Sequence, residues 1–171
     1  ATIDDYSEKL ETALLSTLNY VSARKGWQQR DRVRLIFHSF KPLKNTEIEA
    51  VKQLVADHLN QYNVDFAFLE IGSEHNSMLY DPSSFGHKTY NGTIRGVQVP
   101  RRGAAVQINE RELLVTLTGP KEIKFTDHGT PAPLRLYLNG GSTFRDLRYL
   151  AQQVFDFSYM SWQTFNLLPM P

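Results

Sequence analysis

The chain has 171 residues, enough for one domain whose core removes roughly 70% of the unfolded surface from water. Apolar residues make up 41%, charged residues 22% and aromatic residues 12%, which excludes collagen-like and disordered classes, and no apolar run approaches the ~18 residues of a membrane span. There is no cysteine, so a disulfide framework, a thiol nucleophile and the usual structural zinc are excluded, and a reducing, cytoplasmic setting without a membrane partner is expected.

Apolar residues at Ile3, Tyr6, Leu10, Leu14, Leu18 and Val21 recur every three or four positions and predict an amphipathic helix from Thr2 to about Ser22. Val33 to His38 then reads as a strand rich in β-branched and aromatic residues, stopped by Pro42. Thr46 and Glu49 predict a capping box for a second helix with Ile48, Val51, Leu54, Val55 and Leu59 on one face. Val64 to Ile71 is a second strand, so strand, helix and strand form a βαβ unit with a parallel pair.

Glycines punctuate the middle third, where Met78–Tyr80, Gly96–Val99, Ala104–Ile108 and Leu113–Leu117 are expected to form antiparallel hairpins, with Asn109-Glu110 as one turn. Pro133 to Leu138 is a further strand ending at Asn139-Gly140-Gly141. Ser142 or Thr143 is then expected to cap a third helix carrying Phe144, Leu147, Leu150, Ala151, Val154 and Phe155 at helical spacing. An aromatic tail follows. The elements predict one α/β domain with a mixed sheet flanked by helices, its first strands expected to precede Ala1.

The net charge of +1 averages an acidic first half and a basic second half: residues 1–85 hold 9 Lys/Arg against 12 Asp/Glu, and residues 86–171 hold 10 against 6. The stretches Arg24–Lys44 and Lys88–Arg102 are the most basic, and the second contains no acid at all. Such stripes suit phosphate contacts, though they also serve as ordinary solvated faces. The five histidines show no metal-ligand spacing, and the phosphate-binding and nucleophile-elbow glycine motifs are absent. At the carboxyl end of the first strand, where open α/β sheets place ligands, stand His38, Ser39 and Lys41 but no carboxylate. Two-metal nucleases hold their cations there with acidic oxygens. The stretch Leu150–Phe165 mixes aromatic rings with amides and hydroxyls, a composition suited either to phosphates and bases or to a packed helix end.

Several segments in order resemble the second half of a PIWI domain from a short prokaryotic Argonaute: Arg34 to His38 with Lys41-Pro42; the strand Val64 to Ile71 leading to His75; Gly96 followed by Val99-Pro100-Arg101-Arg102-Gly103; Leu117-Thr118-Gly119; Gly129-Thr130-Pro131-Ala132-Pro133; Ser142 to Asp146; and Phe155 to Trp162 running on to Pro171. The resemblance implies an RNase H-like fold, with residues 1–171 as a partial PIWI domain. It also implies that the chain works with a MID domain to hold guide RNA and pair it with single-stranded target DNA. Base pairing would then read the sequence.

Cleaving members of that family carry an Asp where this chain has His38-Ser39-Phe40-Lys41, so the resemblance implies a degenerate nuclease site with no catalytic residue or metal ligand here. By the same matching, Tyr159 falls on a tyrosine that touches the guide backbone, Ser161 on a neighbouring arginine position, and His75 and Asn76 on a basic cluster that grips the guide. Arg95, Arg101, Arg102 and Lys121 are candidates to supply the charge that this cluster lacks. No cofactor is expected in the chain itself; Mg²⁺ at the guide 5′-phosphate and a TIR or sirtuin-like effector subunit in antiviral defence are expected of the complete protein. Two other readings are an active guided endonuclease whose metal ligands lie outside the chain, and a scaffold that mainly docks the effector.

Overall fold

The computed structural model describes residues 3–126 and 129–160. Its contacts divide the chain into two units, Ala1–Phe68 with Asn139–Phe144, and Leu69–Leu138 with Arg145–Pro171.

In the first unit, helix α1 (Ile3–Lys25) is followed by strand β1 (Arg32–Ser39), helix α2 (Asn45–His58) and strand β2 (Asn63–Gly72), of which the first part belongs to this unit. Strands β1 and β2 are neighbours, joined by the helical crossover that parallel neighbours require. The face foreseen for α2 is the one that packs: Ile48 and Val51 meet Phe66 and Phe68, with Leu14, Leu35 and Phe37 around them. Leu18, Leu54 and Leu59 form a second cluster closed by Trp27 and Tyr62. Phe37 stacks on Phe68 with ring centroids 5.3 Å apart.

The start of α2 lies earlier than the Thr46–Glu49 reading. The Glu47 carboxylate accepts the Lys44 N–H at 2.8 Å, so the acid three residues into the helix secures its first turn from a lysine N-cap position.

Ser142 and Thr143 do not cap a helix. Phe68 N–H donates to Ser142 Oγ at 2.9 Å and Phe66 N–H to Thr143 Oγ1 at 2.8 Å, while Thr143 N–H and Phe144 N–H both donate to the Phe66 carbonyl. This stretch therefore completes the edge of β2 with hydroxyls. Removing the hydroxyl in Ser142→Ala leaves the buried Phe68 amide without its acceptor and is expected to cost about 1–3 kcal/mol. Urea denaturation measures it, and a midpoint equal to that of the wild type would show that the amide finds another partner.

In the second unit, the last residues of β2 pair antiparallel with β7 (Leu134–Leu138), β7 with β6 (Glu112–Val115), and β6 with β5 (Ala105–Asn109). Strands β3 (His87–Lys88) and β4 (Ile94–Arg95) form a separate short hairpin. Of the expected middle strands, Ala104–Ile108 and Leu113–Leu117 correspond to β5 and β6, but Met78–Tyr80 and Gly96–Val99 are not strands. Their backbone bonds run between loops instead, as Asp81 N–H to the Gln98 carbonyl and Gln98 N–H to that of Ser84.

Strand β7 alternates buried Leu134, Leu136 and Leu138 with half-buried Arg135 and Tyr137, as a pleated strand does. Helix α3 (Leu147–Met160) packs on β6 through Leu147, Leu150, Ala151 and Val154. Its cap is Asp146, whose carboxylate accepts the Tyr149 N–H at 3.0 Å. The fold is thus α/β, a mixed sheet flanked by helices, as the sequence predicts. No helix among the described residues is long and apolar enough to cross a membrane.

Candidate functional site

In the first unit, the residues at the end of β1 are folded in on themselves. Ser39 Oγ donates to the Lys41 carbonyl at 2.5 Å and accepts the Lys41 N–H at 3.2 Å, so the hydroxyl belongs to the turn. Burial lowers the pKa of His38 and keeps its imidazole neutral near pH 7. The Lys41 side chain is exposed. Among the described residues, no three His, Asp or Glu side chains converge on a point where they could share a metal ion. Those residues accordingly do not offer a ligand set for the Mg²⁺ that the resemblance associates with a guide end.

The second unit contains the rest of the candidates that fall in described residues. Buried Val99 and Pro100 deliver the chain to Arg101 and Arg102, and the loop is fastened to the end of β6 by one buried side chain. Thr116 Oγ1 lies 2.8 Å from the Arg101 carbonyl and 3.2 Å from that of Ala104, while Thr116 N–H donates to the Ala104 carbonyl and the Thr116 carbonyl accepts the Gly103 N–H. Gly103 sits at φ +82, and a Cβ there would lie 2.9 Å from Phe155 Cε2. Only glycine combines that backbone angle with so close an approach. The effect is to lay the arginine loop directly against α3.

There, Arg102 meets three side chains of the helix. Its Nη2 donates to Ser158 Oγ at 2.9 Å, and its guanidinium lies 4.2 Å from the centre of the Tyr159 ring and 5.9 Å from that of Phe155. Ser158 in turn donates to the Phe155 carbonyl at 2.6 Å, and Phe155 and Tyr159 meet edge to face at 5.1 Å. A guanidinium over an electron-rich ring is an attractive pairing that also limits the rotamers of both partners. Tyr159 is 62% exposed. The arrangement sets the exposed phenol of Tyr159 beside a half-buried guanidinium whose Nε is buried, a hydrogen-bond donor and a charge suited to a phosphodiester oxygen.

The neighbouring candidates are placed differently. Arg101 is exposed and faces an acid: the Asp81 carboxyl is held below its usual pKa first by hydrogen bonds from the Ser83 hydroxyl and amide and then by the Arg101 charge. His75 uses both ring nitrogens inside the chain. Its Nδ1 accepts the Ser77 N–H at 3.1 Å, which leaves the proton on Nε2 to donate to the Pro133 carbonyl at 2.7 Å. The ring therefore clips a loop to the entry of β7 and has no nitrogen left over for a phosphate. Asn76 and Lys121 are exposed, the latter beside Glu122 in a turn. Arg95 is half-buried on β4, and its Nε is buried with no hydrogen-bond partner among the described residues. Ser161 lies outside the described residues.

The structure brings Arg102 and Tyr159 together from separate sequence segments and adds Gly103, Phe155 and Ser158, whose parts were not foreseen. A glycine directly after paired arginines was the visible sign of a loop needing an unusual backbone angle.

No family model matches the chain. It is 30% identical over 168 residues to the protein argonaute of Cereibacter sphaeroides (strain ATCC 17025 / ATH 2.4.3), a match that takes in 94% of this chain and 21% of that protein. The chain thus spans about a fifth of the length of that curated relative. Among solved structures, the crystal structure of Aa-Ago with externally bound siRNA is similar over 88% of this chain and 18% of its own, with a TM-score of 0.52 and 15% identity. The chain is similar in sequence to a segment of that argonaute, and its α/β architecture is consistent with the RNase H-like fold expected from the sequence.

Proposed function

We propose that this chain is the second half of a PIWI domain and binds a guide RNA paired to single-stranded target DNA, chiefly through the backbone phosphates. The observation that carries this reading is the Arg102–Tyr159 pair, a half-buried loop guanidinium stacked 4.2 Å from the ring of an exposed tyrosine near the end of α3, in a chain similar in sequence to a segment of an argonaute. Tyr159 supplies a directional hydrogen bond and Arg102 the charge. In this reading the chain performs no strand cleavage, because the end of β1 offers an imidazole, a hydroxyl and an ammonium where a metal-holding carboxylate would be needed. A MID domain would hold the guide 5′ end, and a TIR or sirtuin-like effector subunit would carry the enzymatic response in antiviral defence.

Salt titration of guide–target binding tests the first part. The logarithm of affinity is expected to fall linearly with the logarithm of salt, by roughly 0.7 to 0.9 for each phosphate neutralised. A flat response would instead support a scaffold that docks the effector. Incubation with guide, complementary target and Mg²⁺ or Mn²⁺ tests the second part: the target is expected to stay intact, and a guide-dependent cut at one defined phosphodiester would overturn the inactive assignment.

A further inference from the structure

The β3–β4 hairpin has no part in the site described above, yet it carries the most exposed aromatic ring among the described residues. Tyr90 is 103% exposed, so both faces of its ring are bare to solvent. The loop that holds it is firmly tied. Thr89 N–H donates to the Thr93 carbonyl at 2.8 Å, Thr89 Oγ1 to the same carbonyl at 3.0 Å, Gly92 N–H to the Thr89 carbonyl at 3.0 Å and Thr93 N–H to Asn91 Oδ1 at 3.3 Å. The Thr89 hydroxyl also bonds Asn91 Oδ1. Gly92 makes the turn at φ +85. A tip with this many bonds keeps its ring in solvent through its own backbone, and Tyr90 contributes nothing to the core in return.

The register pairs His87 with Arg95 and Lys88 with Ile94. His87 and Arg95 are half-buried, whereas Lys88 and Ile94 are exposed, Ile94 by 51%. The outward side of the hairpin therefore bears one cation and one apolar side chain behind a bare aromatic tip. Between Asp81 and Glu110 the chain has no acidic residue, while Lys88, Arg95, Arg101 and Arg102 all fall in that span. An uninterrupted positive stretch is complementary to a polyanion, and an aromatic ring with a free face accepts any base.

We propose that the β3–β4 hairpin is a second nucleic-acid contact, in which Tyr90 stacks on an unpaired base and Lys88 neutralises an adjoining phosphate. The ligand is a single-stranded, unstacked nucleotide, since a ring cannot stack on a base that is already sandwiched in a duplex. The proposal rests on the reading of this chain as a guide and target binder and adds a site that reads strandedness to it.

The experiment measures fluorescence anisotropy of labelled guide RNA carrying an unpaired single-stranded DNA extension, over a range of salt, for the wild type and for Tyr90→Ala, Tyr90→Leu, Tyr90→Trp and Lys88→Gln. Tyr90 lies wholly in solvent, so these changes leave the fold intact, and circular dichroism checks that they do. Tyr90→Ala is expected to weaken binding about fivefold or more with an unchanged salt slope, Tyr90→Leu to do the same, and Tyr90→Trp to bind like the wild type. Lys88→Gln is expected to reduce the salt slope by about one. Removing the unpaired extension should abolish the difference between Tyr90→Ala and the wild type. If Tyr90→Ala or Tyr90→Leu binds as tightly as the wild type while Arg102→Ala does not, the hairpin proposal is overturned and the broader reading stands. Salt-insensitive or absent binding by the wild type overturns both, and so does loss of a protein partner with nucleic-acid affinity unchanged.

Discussion

Arg102→Ala is expected to weaken guide–target binding by about ten- to a hundredfold at low salt, the largest loss for any single side chain in the candidate site. Three contributions disappear together. One is the direct charge: each phosphate neutralised adds a salt-dependent increment, so the slope of log affinity against log salt should shrink by about 0.9. The second is the stacking of the guanidinium on Tyr159 at 4.2 Å, worth about 0.5–1 kcal/mol at an exposed position and more once a ligand excludes water. The third is the bond to Ser158, which ties loop and helix end together. Without the arginine, Tyr159 is free to choose among rotamers, and its phenol must be ordered anew when the backbone arrives. Arg102→Lys separates charge from position. It should keep most of the salt slope but lose part of the affinity, because an ammonium lacks the planar fork that both stacks and donates. Tyr159→Phe removes one hydrogen bond, about 0.5–1.5 kcal/mol, and combined with Arg102→Ala it should cost less than the sum of the two, since each acts through the other. Additive losses would show two independent contacts, and full affinity in Arg102→Ala at low salt would remove the pair from the binding surface.

Gly103→Val is expected to destabilise the protein by about 2–5 kcal/mol and to reduce nucleic-acid binding even where the protein remains folded. A branched residue at φ +82 is strained whatever the available room, by roughly 1–2 kcal/mol for the left-handed backbone alone. Room is also lacking, since a Cβ would stand 2.9 Å from Phe155 Cε2, and overpacking of this kind typically adds about 1–3 kcal/mol. The strain is relieved most easily by pushing Phe155 away, which moves the ring against which Tyr159 packs. Chemical denaturation gives the stability change, and binding measured well below the unfolding midpoint gives the functional one. Gly103→Ala should lie between wild type and valine in both. A valine variant as stable as the wild type would show that loop and helix do not approach in this way.

The first unit was legible in the sequence because each of its elements announces itself by period. Leu14 and Leu18 repeat along a helix, Ile48, Val51 and Leu54 along another, and the apolar runs of β1 and β2 have no competing interpretation. The middle of the chain was harder. Strands two residues long, such as β3 and β4, carry no period at all, whereas the apolar stretches on either side of them, Met78–Tyr80 and Gly96–Val99, look like strands and are loops. Ser142 and Thr143 misled for a different physical reason: a hydroxyl ahead of a helical pattern looks the same whether it accepts from the first turn of the helix or from a strand 74 or 77 residues away. Asp146, four residues further on, was the true cap.

At the site, charge was visible but company was not. Arg102 stood out as part of an acid-free stretch, and Tyr159 through its matching to a family position. That the two touch depends on a fold bringing residues 102 and 159 together, which no local pattern encodes. His75 shows the converse: its chemistry suits a phosphate, yet the amide of Ser77 and the carbonyl of Pro133 occupy its ring.

The first unit is written in two pieces, with the whole run Leu69–Leu138 inserted between them. During synthesis the ribosome therefore releases β2 long before the hydroxyls of Ser142 and Thr143 that cover its amides at Phe66 and Phe68. A nascent chain halted anywhere short of those two residues would expose an incomplete strand edge, which is a template for wrong pairing. The closing of this edge is a late, long-range event that local helix formation in α1 and α2 cannot hasten. Stalled or truncated chains ending before residue 142 should consequently be the forms most dependent on chaperones.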